Sequence, residues 1–145
     1  MTSTTRCPRT CRRPSRVGAE LRLLLDTHVL LWVLLDDRRL RSEVRDRIAD
    51  GRTEVFVSAA SAWEITIKRA LGQLRAPDDL VHQLAAARLA GLDVRIEHAL
   101  AVAELPDHHR DPFDRLLVAQ ARVEKLVLVT SDDVLRRYDV PVLQA

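Results

Sequence analysis

Four acidic residues, Asp26, Glu64, Asp114 and Asp132, stand where strand-like apolar runs hand over to helix-like ones, or at the start of a helix that feeds the next strand. In an open parallel sheet, ligands gather in the crevice beyond the carboxyl ends of the strands, so these positions predict a shared crevice. Carboxylates crowded together repel one another unless a cation lies between them, and hard oxygen donors favour Mg²⁺ or Mn²⁺. The pattern is that of a metal site.

Each acid also has a purely structural explanation, because helix starts favour Asp and Glu through capping and the macrodipole. Asp26 can cap a helix beginning near His28, and Ser61-Ala-Trp-Glu64 matches a capping box. Asp111 can cap a helix with Pro112 first and Asp114 third, while Thr130-Ser-Asp-Asp133 fits a box whose acid is Asp133, leaving Asp132 unclaimed. Capping does not, however, require four acids to converge on one rim. Asp111 is also three residues from Asp114, hence beside it on the helix. Lys68, four residues after Glu64, reads as a surface ion-pair partner, with a phosphate contact as the alternative. Arg115 has the same two readings, surface residue or phosphate clamp. Trp32 and Trp63 fall at helical spacing and read as core residues rather than base-stacking platforms, and His108 and His109 read as solvated loop residues.

The elements that must position these side chains alternate along the chain. Leu21 to Leu25, apolar apart from Arg22, reads as a central strand buried on both faces, followed by a helix from His28 to Leu35. Ser42 is a candidate N-cap for a helix running to about Asp50, stopped by Gly51, and Val55 to Val57 is a second strand. From Ala59 the spacing is helical, with Trp63, Ile67, Ala70, Leu71 and Leu74 on one predicted apolar face. Pro77 is expected to open a further helix ending at Gly91, Leu92 to Ile96 to form a third strand, and a short alanine-rich helix to reach Leu105. A polar loop, Pro106 to Pro112, then leads into a helix reaching Lys125, a wholly apolar strand Leu126 to Val129, a short helix Asp133 to Tyr138 and an edge strand Val140 to Leu143. This alternation predicts right-handed βαβ crossovers and an α/β fold, a parallel sheet of four to five strands with helices on both faces.

With 145 residues the chain suffices for one domain with a core of its own. Residues 1–20 carry five arginines and one glutamate, leaving 18 basic and 20 acidic side chains in residues 21–145. A general basic surface for nucleic acid is therefore not visible in the composition, and phosphate binding must be argued from a site. The leader, residues 1–20, lacks apolar periodicity and is expected to be disordered, with a misassigned start near Val17 as a further hypothesis. It holds both cysteines, Cys7 and Cys11, so residues 21–145 contain no thiol, as suits a reducing cytoplasm. Arg22, Asp26 and His28 interrupt the first apolar run, which is too short and too charged to span a bilayer or act as a signal peptide; a cytoplasmic protein is expected.

The stretches Leu23-Leu-Leu-Asp-Thr-His-Val-Leu-Leu-Trp32, Ser58-Ala-Ala-Ser-Ala-Trp-Glu-Ile65, His109-Arg-Asp-Pro-Phe-Asp-Arg-Leu-Leu-Val-Ala-Gln120 and Leu128-Val-Thr-Ser-Asp132 carry a resemblance. With Tyr138-Asp-Val-Pro-Val-Leu143 they resemble, in order, the PIN-domain ribonucleases, and within them the VapC-type toxins of bacterial toxin–antitoxin systems. The resemblance runs from about residue 21 to the end and implies a PIN-like three-layer sandwich. It implies that Asp26, Glu64, Asp114 and Asp132 form a catalytic quartet, with Asp26 and Asp114 the most direct ligands of Mg²⁺ or Mn²⁺ and Asp132 a further one. Thr27 and Thr130 would hold carboxylates or water. The spacing Thr-x-Asp selects Asp132 over Asp133. Glu64 would orient or deprotonate the attacking water, so that RNA is left with a 5′-phosphate and a 3′-hydroxyl. The implied partners are RNA, an antitoxin protein and a second copy of the chain, within a toxin–antitoxin hetero-oligomer.

Two other classes compete. A non-catalytic binding module on the same fold would show a broken quartet, whereas the quartet is complete here. A phosphotransfer domain using Asp26 as phosphoacceptor would place a second acid two residues on, where His28 stands.

Overall fold

A computed structural model describes residues 21–145; the expectations for the leader and its two cysteines lie outside the described residues. Five strands form one wholly parallel sheet in the order β3-β2-β1-β4-β5. They are β1 (Leu21–Leu25), β2 (Thr53–Ser58), β3 (Ala90–Leu92), β4 (Val127–Thr130) and β5 (Val142–Gln144). The helices are α1 (Thr27–Leu34), α2 (Ser42–Ala49), α3 (Ala59–Ala70), α4 (Leu80–Ala86), α5 (Ile96–Ala101) and α6 (Pro112–Glu124), with short 3-10 turns at Val102–Glu104 and Asp133–Arg137.

The sheet is covered on both faces because successive strand residues point to opposite sides. Leu23 and Leu25 of β1 pack with Val29, Leu30, Val44, Val55, Val57 and Ile65, placing α1, α2 and α3 on one face. Leu24 and Leu128 pack with Leu117, Val118, Ala121 and Leu135 on the other, beneath α6. Leu23, Leu24 and Leu25 are fully buried, as a run of leucines in a central strand requires, each contributing about 1.5–3 kcal/mol of burial. The expected three-layer α/β architecture is therefore present, with five strands.

The chain moves outward from β1 to β2 and β3 on one side and places β4 and β5 on the other. The topological switch point thus lies between β1 and β4, where such sheets open their ligand crevice. Leu25 is level with both Val57 and Val129, so the next residues, Asp26, Ser58 and Thr130, emerge together at the carboxyl rim.

Several expected boundaries move. Ser42 is the first residue of α2, whose N-cap is Arg41 without a side-chain cap bond. The fourth helix begins at Leu80, capped by Asp79 through the His82 N–H, and not at Pro77. The third strand ends at Leu92, and Ile96 opens α5 instead of closing a strand. Pro141 precedes β5. The predicted apolar stripe of α3 is largely outside the core: Trp63 is 63% exposed, and Ile67 and Leu71 are exposed as well, while Ile65 faces inward. The core-facing side of α3 is formed by Ala60, Ser61, Glu64 and Ile65, a set whose polar members hide it from a hydrophobic pattern. Trp63 touches Phe113 edge to face, ring centroids 5.3 Å apart. Trp63→Ala is accordingly expected to cost about 1 kcal/mol in chemical denaturation, not the 3–5 kcal/mol of a buried tryptophan. Trp32, by contrast, is half-buried against the core as expected.

Candidate metal centre

Asp26 is both a cap and a member of the site. One carboxylate oxygen, Oδ1, accepts the Val29 N–H at 2.8 Å and so starts α1. The other, Oδ2, accepts the hydroxyl of Thr130, whose Oγ1 in turn accepts the Asp132 N–H at 3.0 Å. β1 and β4 are thus tied at their carboxyl ends through side chains. Asp26 is nearly inaccessible, and burial raises its pKa, with the nearby Asp132 charge pushing the same way, against the Thr130 and Val29 hydrogen bonds.

Glu64 does not close a capping box. Helix α3 is capped by Ser58, which accepts the Ala60 N–H at 3.0 Å, and Ser61 lies inside the helix with a buried hydroxyl that has no hydrogen-bond partner among the described residues. The Glu64 carboxylate, also buried, instead accepts the hydroxyl of Thr27 on one oxygen and Lys68 Nζ at 2.8 Å on the other. Its bond raises the Lys68 pKa, and the Asp111 and Asp114 charges add to that effect. Lys68 therefore makes the expected ion pair while facing the acidic group.

Asp111 caps α6 as expected, its Oδ1 accepting the N–H groups of Phe113 at 2.8 Å and Asp114 at 3.4 Å. Asp114, one turn inside the helix, is left to face the crevice. Its carboxyl is pushed up to about 7, first by burial, then by the Asp111 charge, with Asp26 and Glu64 adding to the rise and His109 opposing it. Carboxylates that shift one another's pKa in this way share a common field. The four acids from distant parts of the chain are therefore gathered at one rim.

Asp132 and Asp133 are separated by the structure. Asp132 Oδ1 caps the following 3-10 turn through the Val134 N–H at 2.9 Å, while its Oδ2 lies 2.9 Å from His109 Nε2. Asp133 is exposed and pairs with Arg136.

Two residues depart from their sequence reading. His109 is not a solvated loop residue: Nε2 reaches Asp132 and lies 3.3 Å from Asp114 Oδ2, and His109, Asp114 and Asp132 form a group with ligand-capable atoms within 4.8 Å of one another. Arg115 is not a free surface residue. Its guanidinium is turned onto the carbonyls of Val102, Leu105, Pro106 and His109, and onto the Tyr138 hydroxyl, and so holds the loop that carries His109. A sequence shows neither, since both depend on which carbonyls and carboxylates the fold brings near.

Comparison with known proteins follows the same outline. A family model described as PIN domain matches residues 23–141. The chain belongs to the PIN-domain family. No curated protein sequence matches this PIN domain significantly. Solved structures similar to it include that of VapBC2 from Rickettsia felis bound to a DNA fragment from their promoter, at TM-score 0.65 and 14% identity, covering 86% of this chain and 98% of that one. DNA-bound VapBC from Salmonella typhimurium has TM-score 0.58 and 17% identity, covering 86% and 98%. FitAcB from Neisseria gonorrhoeae has TM-score 0.50 and 19% identity, covering 83% and 96%. At these identities the likeness is one of fold. No helix among the described residues of the PIN domain is long and apolar enough to cross a membrane.

The donor set suits a divalent cation. Three aspartates and a glutamate supply hard oxygens, and burial, together with the Asp111, Asp26 and Glu64 charges, holds the Asp114 carboxyl at about 7 despite the opposing effect of His109.

Proposed function

We propose that this PIN domain is a Mg²⁺-dependent endoribonuclease, with Mn²⁺ as an alternative ion, and that it acts as the toxin of a toxin–antitoxin pair. The observation that carries the proposal is the gathering of Asp26, Glu64, Asp114 and Asp132 at the β1–β4 switch point, with Asp114 lifted to about 7 first by burial and then by its acidic neighbours. Asp26, Asp114 and Asp132 would hold the ion. When bound, it offsets the charge that develops on a phosphodiester and acidifies water.

The protein's own groups account for the rest. Glu64, held by Thr27 and Lys68, would orient water and take its proton. Thr130 holds Asp26 in one rotamer and ties it to the Asp132 backbone. Lys68 Nζ, beside the acids yet partly exposed, is the cation available to a substrate phosphate. RNA as substrate follows from membership of the family together with the motif resemblance, and single-stranded or looped RNA is the accessible form. The antitoxin partner draws support from the VapBC and FitAcB structures that share the fold.

Labelled cellular RNA incubated with the purified chain tests the proposal. Cleavage should require Mg²⁺ or Mn²⁺, stop with EDTA and leave 5′-phosphate ends. Products ending in a 2′,3′-cyclic phosphate, or cleavage indifferent to EDTA, would rule this mechanism out.

A further inference from the structure

His109 is the nitrogen donor of an otherwise carboxylate centre, and its ring could serve in two opposed ways, as a ligand to the cation or as a donor to the acids. Its distances to Asp114 and Asp132 admit both. The other edge of the ring decides between them. The Asp111 backbone N–H donates to His109 Nδ1 at 3.0 Å, so Nδ1 presents its lone pair there. A neutral imidazole has one lone pair and one N–H, which places the hydrogen on Nε2. That atom faces Asp132 Oδ2 at 2.9 Å and Asp114 Oδ2 at 3.3 Å. A protonated nitrogen donates to carboxylates and has nothing to offer a cation.

The arrangement is the inverse of a metal-ligating histidine, whose remote ring nitrogen carries the hydrogen and donates it to a carbonyl or carboxylate. Exchanging the roles would aim two hydrogens at each other between Nδ1 and the Asp111 N–H. The backbone that carries the ring is also pinned. The His109 N–H donates to the buried Tyr138 hydroxyl at 2.8 Å, and its carbonyl accepts from Arg115 at 3.4 Å. With the backbone so held, the Asp111 N–H on Nδ1 and the two carboxylates on Nε2 set the ring orientation.

We propose that His109 is a positioning residue and not a metal ligand: its Nε2–H bridges Asp114 of α6 and Asp132 after β4, fixing the spacing at which these two acids meet a cation. The inference rests on the metal-centre reading above and deepens it. Asp132 is thereby held on both oxygens, one by the Val134 N–H and one by His109.

Two spectroscopic readouts and one affinity series test this. In ¹⁵N-histidine-labelled protein, NMR should show His109 protonated on Nε2 and not on Nδ1, both metal-free and with Mg²⁺. Electron spin echo modulation of bound Mn²⁺ should show no directly coordinated nitrogen. Calorimetric Mn²⁺ affinity should fall about tenfold in His109→Ala and return to within about threefold of wild type in His109→Gln, whose carboxamide N–H₂ can donate. A coordinated-nitrogen signal, an Nδ1–H tautomer, or alanine and wild-type proteins binding Mn²⁺ equally would each overturn the proposal. A wild-type chain that takes up no Mn²⁺ would overturn the metal centre itself, and this inference with it.

Discussion

Replacing Asp26 by asparagine is expected to lower metal-dependent RNA cleavage by at least about a thousandfold, or about 4 kcal/mol of transition-state stabilisation, while leaving the fold intact. Asparagine keeps the oxygen that accepts the Val29 N–H, so α1 remains capped. Its carboxamide N–H₂ can donate to Thr130 Oγ1, which has a second lone pair besides the one taken by the Asp132 N–H. It also removes a buried charge that the native fold disfavours, as the raised Asp26 pKa records. Stability above neutral pH should therefore hold or rise. The combination separates the two roles of Asp26: a variant with unchanged cleavage would mean that the acid merely starts a helix. Asp133→Asn is the matched control, because Asp133 is exposed and turned toward Arg136. It should cleave like the wild type.

Cation binding should be strongly coupled to acidity through Asp114. Its native carboxyl is pushed up to about 7, against about 3.9 for an aspartate in an unfolded chain. Between these values the metal-free native state binds more protons than the unfolded state, so the Asp114 contribution to stability is present at low pH and is lost as pH rises through about 7. Across the window it amounts to at most about 4 kcal/mol, read as the difference between wild type and Asp114→Asn. A divalent ion needs the carboxylate, so its affinity should rise by about tenfold per pH unit up to about 7 and level above. Mg²⁺ or Mn²⁺ should therefore raise the melting temperature clearly at pH 8 and little at pH 5.5. An equal shift at both, or a larger one in acid, would show that Asp114 does not meet the ion.

Much of this could be read from the chain because it is written in local chemistry. The leucines of β1 and the apolar β4 announce strands buried on both faces, and Asp111-Pro112 announces the start of α6. Asp26 is legible because it directly follows β1, and Asp132 because it stands two residues past the end of β4. The edge was harder. β3 has only three residues, so it carries no period to read, and its place is set by pairing with Phe56, Val57 and Ser58. Trp63 misled because its helical spacing suggested burial, whereas α3 turns small and polar residues inward to make room for Glu64. His109 and Arg115 were hidden for another reason. What each does is decided by groups up to 29 residues away, and no spacing along the chain records a carbonyl or carboxylate that arrives through folding.

The acids that meet at the rim come from residues as far apart as 26 and 132, joined there by side-chain bonds that extend the β1–β4 ladder. An ion seated there would act as a clasp across the whole molecule. Closing it can happen only after the sheet is assembled, so it should leave the folding rate nearly unchanged and slow unfolding instead. Protection from proteases on adding Mn²⁺ should accordingly extend to β4 and β5, far along the sequence from Asp26, and chelation should release all of it together.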